Sequence, residues 1–188
     1  SRAILKGERA ALNIMQRMSG IGTKTRNIVD LVKDYDVKIV DTRKTLPGFR
    51  MLDKYSVRVG GGYNHRMNLS DYVMIKDNHI KAVGSITKAV EKIKKSLPFT
   101  VKVEVEVENL QQLKEAVTTD TDVIMLDNMS VDEMKRAVKF VNGKFILEAS
   151  GNVTEENVKD IASTGVDIIS VGALTHSVKA MDISLKFV

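Results

Sequence analysis

The sequence contains no cysteine, which rules out disulfides and thiolate metal sites; nothing asks for an oxidising compartment, and a cytoplasmic enzyme is the expectation. Aromatic residues make up only 5% of the 188 residues and do not alternate with basic ones. The formal charge of +5 and the pI near 9.3 therefore do not point to nucleic acid. The lysines are dispersed singly, as in KAVEKIKK and MKRAVKF, in the manner of a solvated helix face. A surface and pocket that attract small polyanions account for the same charge. No long apolar run is present. The opening SRAILKGERAALNIMQRMSG breaks its apolar face with charges, so neither a membrane span nor a signal peptide is expected. There is no internal repeat and no low-complexity segment.

What the sequence does contain is alternation. Short β-branched runs recur at 38–42, 72–76, 101–107, 122–128, 144–150 and 167–172 and read as strands. Amphipathic stretches at 85–96, 109–118, 130–141 and 154–164 read as helices between them, so a parallel sheet is expected. Ser130 with Glu133, and Thr154 with Asn157, mark helix starts; Gly143 and Gly165 mark stops. Residues 1–35 stand outside the repeat as a helical segment broken at Ser19 to Thr23. Residues 36–174 form the α/β unit and 175–188 a C-terminal helix and tail. Six such strands fit either an open doubly wound sheet or a partial barrel. Polar residues end nearly every strand (Arg43 and Lys44, Lys76, Glu106, Asp127, Glu148 and Ser150, then Gly172), and ligand-type groups after all six favour the mouth of an open, incomplete α/β barrel.

Several strand ends carry cations. DTRKTLPGFR places Arg43 and Lys44 past a strand and before the bend at Pro47 and Gly48, suited to an anion, although either could pair with Asp41 or Asp53 on the surface. GGGYNHRMNLSD adds His65 and Arg66 after three glycines; the glycines match no nucleotide fingerprint and fit a tight turn equally well. Lys76 ends a buried strand, where it would bind an anion or form a Schiff base. The other cations tilt that choice towards a polyanionic substrate.

VKVEVEVEN sets Glu104, Glu106 and Glu108 on one face and Val103, Val105 and Val107 on the other. The carboxylates then point into a barrel, or into solvent if the strand is an edge. With Asp127 they offer hard oxygen ligands suited to Mg²⁺ held partly by a phosphorylated substrate. EASGNVT and SVGALTHS place Ser150, Gly151 and Gly172 where helices begin, an arrangement suited to phosphate as well as to ordinary capping. His79 and His176, each near a helix start, are more often structural than catalytic.

GERAALN, SGIGTKT, DTRKTLPG, GGGYNHRMNLSD, IKDNHI, EVEVEN, MLDNM, EASGNV and GVDIISVGALTHS together resemble the quinolinate phosphoribosyltransferase family over nearly the whole chain. The resemblance implies a type II phosphoribosyltransferase. Its open α/β barrel is accompanied by a small amino-terminal domain, and two subunits complete each site. Quinolinate and phosphoribosyl pyrophosphate react with Mg²⁺ to give nicotinate mononucleotide, pyrophosphate and carbon dioxide, a step of NAD biosynthesis. By motif, Arg43, His65, Arg66 and Lys76 resemble the quinolinate-binding residues, and Lys44 is shared with the phosphoribosyl donor. Arg9 of GER resembles an arginine reaching the quinolinate site from the partner subunit. Glu106 and Asp127 resemble carboxylates near the ribose hydroxyls and Mg²⁺; Glu104 competes with Glu106 for that place. Ser150, Gly151, Gly172 and His176 resemble the ribose phosphate site. The implied catalytic set is Lys44, Lys76, Glu106 and Asp127.

Two departures from the family pattern stand out. Asn152 occupies the place of a usual second glycine, and the amino-terminal domain of roughly a hundred residues is not part of this sequence, so an excerpt of a longer protein is expected. Two other functions remain open. One is a phosphoribosyltransferase for nicotinate or another ring acid, which would need fewer cations. The other is a non-catalytic phosphate-ligand or RNA-binding barrel, which salt-dependent RNA binding would reveal.

Overall fold

The computed structural model describes residues 2–186. The chain runs through α1 (Arg2–Leu31), β1 (Lys38–Val40), α2 (Arg50–Val59), β2 (Val73–Ile75), α3 (Asp77–Val83), α4 (Ile86–Lys94) and β3 (Val103–Val107). It continues through α5 (Leu110–Ala116), β4 (Val123–Asp127), α6 (Val131–Val141), β5 (Ile146–Ser150), α7 (Val158–Ala162), β6 (Ile168–Ser170) and α8 (Ala173–His176). All six strands pair in parallel in the order β1-β6-β5-β4-β3-β2. β1 and β2 are thus the two free edges of an unclosed sheet, as an open barrel requires.

The alternation in β3 sets the layers. Val103, Val105 and Val107 are fully buried on the face opposite Glu104 and Glu106 and belong to one core with Ile86 and Val90 of α4 and Leu113 and Ala116 of α5. Parallel strands buried on both faces carry such β-branched runs because helices cover them. Local signals hold the register of the outer layer. Ser130 and Glu133 form a reciprocal capping box at α6, the Glu133 carboxylate accepting from Ser130 N at 3.0 Å. Asn142 and Gly143 end that helix in the left-handed region.

Three sequence expectations are corrected. α1 is continuous through Ser19 to Thr23, because its glycines serve close packing instead of a break: a β-carbon on Gly20 would collide with the backbone of Lys179. α7 begins at Val158, later than 154, since Asn157 Oδ1 accepts from Thr154 N (2.8 Å) and stabilises a turn ahead of the helix. The last helix is the short α8; beyond it the described residues 177–186 form neither helix nor strand. This tail lies on α1, with Met181 N donating to Gln16 O (3.0 Å) and Gln16 Nε2 donating to Ile183 O (2.9 Å). No helix among the described residues is long and apolar enough to cross a membrane.

α2 turns its apolar stripe outward. Its buried residues are Asp53, Lys54, Ser56 and Val57, while Met51, Tyr55 and Val59 are more than half exposed. The buried charges are paired. Lys54 donates to Asp41, just past β1, and to the His65 carbonyl at 3.0 Å. Asp41 also accepts from Asn64 Nδ2 (2.6 Å) and His65 N (2.9 Å). Asp53 is held by Arg17 of α1 at 2.7 Å and by Leu46 N at 3.1 Å. Between the two sheet edges, Tyr63 runs alongside β1, its N–H donating to Ile39 O (2.8 Å).

Removing Lys54 leaves the Asp41 carboxylate buried without its counter-ion. Lys54→Ala is expected to cost about 3 to 5 kcal/mol, read as a lower midpoint in urea unfolding followed by circular dichroism. A midpoint equal to that of the parent chain would contradict this account of the ion pair.

Candidate active site

Every strand end delivers at least one side chain or backbone group to a single cavity of about 750 Å³. Thr42, Arg43 and Lys44 come from beyond β1, and His65 and Arg66 from the segment bridging the open edge. β2 and its end supply Met74 and Lys76; β3 supplies Glu106, and β4 Met125 and Asp127. Glu148, Ser150 and Gly151 follow along β5; Ser170, Gly172 and His176 follow β6. Of the residues singled out from the sequence, Arg9, His79, Glu104 and Glu108 do not line it; Arg9 is exposed on α1.

The alternative partners proposed for Arg43 and Lys44 are otherwise engaged, Asp41 by Lys54 and Asp53 by Arg17. Among the described residues, Arg43, Lys44 and Arg66 make no ion pair. Arg43 has its pKa lowered, first by burial and then by the neighbouring charges of Arg66 and Arg50, so the cations crowd one wall without carboxylates to neutralise them. Arg66 is aimed by its bond to the Tyr72 carbonyl (3.2 Å) and by the Tyr72 ring, 5.4 Å from the guanidinium carbon. Thr175 Oγ1 fixes the loop beyond β1 by donating to Lys44 O at 2.8 Å.

Lys76 pairs with Glu106. The lysine is 45% exposed and the glutamate side chain 10%, so the pair sits at the mouth and is open to exchange with a ligand. The two competing glutamates are now separated. Glu106 reaches the cavity, whereas Glu104 is buried at 1% exposure beside His65 and Glu148. Glu108, the third of the alternating set, is exposed beyond β3, where its N–H donates to Gln112 Oε1 (2.7 Å).

Asp127 Oδ2 accepts from Asn128 Nδ2 (2.9 Å), and Asn128 Oδ1 accepts from Asn152 Nδ2 (3.0 Å). This links the carboxylate at the end of β4 to the loop after β5. Asn152, at φ 48°, adopts a left-handed conformation that asparagine tolerates, which explains how it replaces glycine. Gly151, at φ 98°, lies so near Asn128 that a β-carbon would collide with its side chain. The expectation of a helix start at each phosphate-type loop holds only after β6, where Gly172 leads into α8. After β5 the cavity is met by turn backbone, because α7 starts later. His79 proves structural: its Nδ1 accepts from Lys76 N at 2.9 Å.

His65, Glu104 and Glu148 gather below the cavity. Glu104 is pushed up to about 7 by burial and by the charge of Glu148, against His65, Tyr72 and Arg66. Burial would lower His65, but its bond to Glu148 and the charges of Glu148 and Glu104 raise it. Both folded-state pKa values lie above the unfolded ones, so this stabilisation is complete at low pH and lost as pH rises. For Glu104 the window runs from 4.5 to about 7. The thermal midpoint in metal-free buffer should fall across that window, and Glu104→Gln should remove several degrees of the fall, about 1 kcal/mol being worth roughly 2 to 4 °C. An identical pH slope in the two proteins would refute the assignment.

Comparison with known proteins agrees with this geometry. The family model described as quinolinate phosphoribosyl transferase, C-terminal domain, matches residues 21–186. A probable nicotinate-nucleotide pyrophosphorylase (carboxylating) of a Synechocystis strain is 50% identical over 99% of this chain and 64% of its own length. The protein of the same description from Bacillus subtilis is 51% identical over 97% of this chain and 63% of its own. The crystal structure of NadC from Streptococcus pyogenes superposes with a TM-score of 0.95 at 46% identity, covering 99% of this chain and 65% of that one. The chain thus spans a little under two thirds of the length of these relatives. By the family match over residues 21–186, it belongs to the quinolinate phosphoribosyltransferases and contains their carboxy-terminal domain.

Proposed function

We propose that the protein to which this domain belongs transfers the phosphoribosyl group of phosphoribosyl pyrophosphate to quinolinate with decarboxylation. The products are nicotinate mononucleotide, pyrophosphate and carbon dioxide, in a cytoplasmic step of NAD biosynthesis. The observation that carries this reading is the crowding of Arg43, Lys44, His65, Arg66 and Lys76 in one cavity with Glu106 and Asp127. A dicarboxylate fits such a set better than a monoacid does, since each fixed cation needs an anion to offset its neighbours.

Arg43, His65, Arg66 and Lys76 would hold the two ring carboxylates, and Lys44 would bridge to the donor. Ser150, Gly151, Gly172 and His176 would receive the ribose phosphate, with Glu106 and Asp127 at the ribose hydroxyls. The hard oxygens of those two carboxylates, both on the cavity wall, fit Mg²⁺; when bound, the ion would neutralise phosphate charge. Substrate binding would part Lys76 from Glu106, freeing the cation for a ring carboxylate and the carboxylate for the donor side.

With both substrates so fixed, the pyridine nitrogen lone pair forms the bond to the anomeric carbon as its bond to pyrophosphate oxygen breaks. The adjacent carboxylate then leaves as carbon dioxide. Its electron pair passes into the cationic ring, and a proton from solvent replaces it. Positioning and fixed charge supply the catalysis. In a homodimer, Arg9 would complete the partner's quinolinate pocket. Exposed Ile4, Leu5 and Met15 on the same helix, and Met51, Tyr55 and Val59 on α2, support a covered surface there.

The decisive experiment titrates the protein with quinolinate, then with Mg²⁺ and phosphoribosyl pyrophosphate, by calorimetry, while nicotinate mononucleotide is assayed in the same samples. Absence of quinolinate binding would overturn the reading. Lys76→Ala and Arg43→Ala should each weaken quinolinate about 30-fold or more, the size of one lost buried charge contact; unchanged affinity would remove those residues from the pocket. Gly151→Ala should impair donor binding and leave quinolinate affinity unaltered, and equal donor affinity in the variant would argue against a phosphate at this loop.

A further inference from the structure

Two buried acids at the cavity floor, Glu104 and Glu148, have no task in the mechanism just described. His65 Nε2 lies 3.3 Å from Glu148 Oε2 and 3.7 Å from Glu104 Oε2. The three side chains are 9%, 2% and 2% exposed, and one oxygen of each carboxylate has no hydrogen-bond partner. The Tyr72 hydroxyl lies 2.6 Å from His65 Nδ1 and 2.7 Å from Nε2. Burying carboxylates with unsatisfied oxygens is costly, and a packed apolar floor would be cheaper. Among the described residues, the ring within reach that can take up a positive charge is His65, which itself lines the cavity.

We propose that Glu148, backed by Glu104, is a positioning residue that holds His65 as an imidazolium at the cavity floor, so that the floor presents a fixed positive charge to a carboxylate of the bound ring acid. The inference rests on the reading of the cavity as a quinolinate pocket. It assigns to two buried acids a part in anion binding that they perform without touching the anion.

The groups facing His65 from each packed element bear on this charge. β5 contributes Glu148 and β3 contributes Glu104, both favouring the imidazolium. α2 contributes Lys54, which opposes it, as burial does. The segment before β2 contributes the Tyr72 hydroxyl, and Arg66 follows His65 in the chain with its guanidinium turned onto Tyr72. The bond to Glu148 and the charges of Glu148 and Glu104 outweigh burial and the Lys54 ammonium, which leaves the balance with the charged ring. A neutral His65 would present one N–H and no charge, and the anion would lose one of its long-range attractions.

The chain has three histidines, so nitrogen-detected NMR of the labelled protein, with His65→Gln for assignment, resolves His65 directly. Both ring nitrogens of His65 should be protonated at pH 7, and Glu148→Gln should lower its proton affinity at least tenfold. The same variant should weaken quinolinate about tenfold at pH 7.5, with the difference shrinking as the pH is lowered and the ring regains its proton from solvent. A purely structural role would not show that recovery. Should Glu148→Gln fail to fold, Glu148→Asp, which draws the carboxylate back by one methylene, should give an intermediate shift. An unchanged His65 titration in a folded variant would overturn the proposal. So would a stoichiometric metal ion in the purified protein, measured by elemental analysis and lost in Glu148→Gln. If the parent chain fails to bind quinolinate, the pocket reading falls, while the His65 titration still upholds or overturns its coupling to Glu148.

Discussion

The buried contact between Lys54 and Asp41 is the constraint on which the cationic wall depends. An unclosed sheet leaves β1 and β2 unpaired with each other, and the cations of the cavity come from both sides of that opening. Asp41 ties the sides together. It ends β1, takes the Lys54 ammonium from α2, and accepts from Asn64 Nδ2 and the His65 amide on the bridging segment. Arg43 and Lys44 follow it in the chain; His65 and Arg66 follow its partners. Burial pushes the Asp41 pKa up against the pull of Lys54, Asn64 and His65, so this junction is held at an electrostatic cost. Several cations close together repel one another, and a rigid anchor beneath them is what allows the protein to keep them assembled before any anion arrives.

The same arrangement explains which parts of the molecule could be read from the sequence. The strands and the helices α4 to α6 follow ordinary periodicity, since their apolar residues face the core. The cavity residues were legible because they stand at strand ends, where a short polar run interrupts a β-branched one. α2 was hidden for the opposite reason: its inward face is Asp53, Lys54 and Ser56 and its outward face is Met51, Tyr55 and Val59. A rule that places apolar residues inside turns such a helix the wrong way round. Glu104 and Glu106 could not be told apart by alternation, which places them on one face and says nothing about depth. The break expected at Ser19 to Thr23 failed because glycine in a helix also permits another segment to lie close, as the tail does at Gly20.

Depth along the barrel separates the acids by task. Glu106 and Asp127 at the rim line the cavity, Glu106 paired with its half-exposed lysine and Asp127 with the Asn128 amide. Glu104 and Glu148, deeper, are buried and lie beside His65. The asparagine relay from Asp127 to Asn152 joins the rim acid to the loop beside it.

The tail packed along α1 has a consequence for how the chain reaches this state. Met181 and Ile183 bond to Gln16, and Lys179 fills the notch at Gly20, so contacts between nearly opposite ends of the sequence complete the same helix. Loop closure over such a separation is slow and entropically costly until the intervening sheet exists. During synthesis α1 emerges before the strands, yet its final neighbours are made last. The α2 side of the helix is covered early, through Arg17 and Asp53, but the face at Gln16 and Gly20 must wait for the tail until nearly the whole domain has been translated.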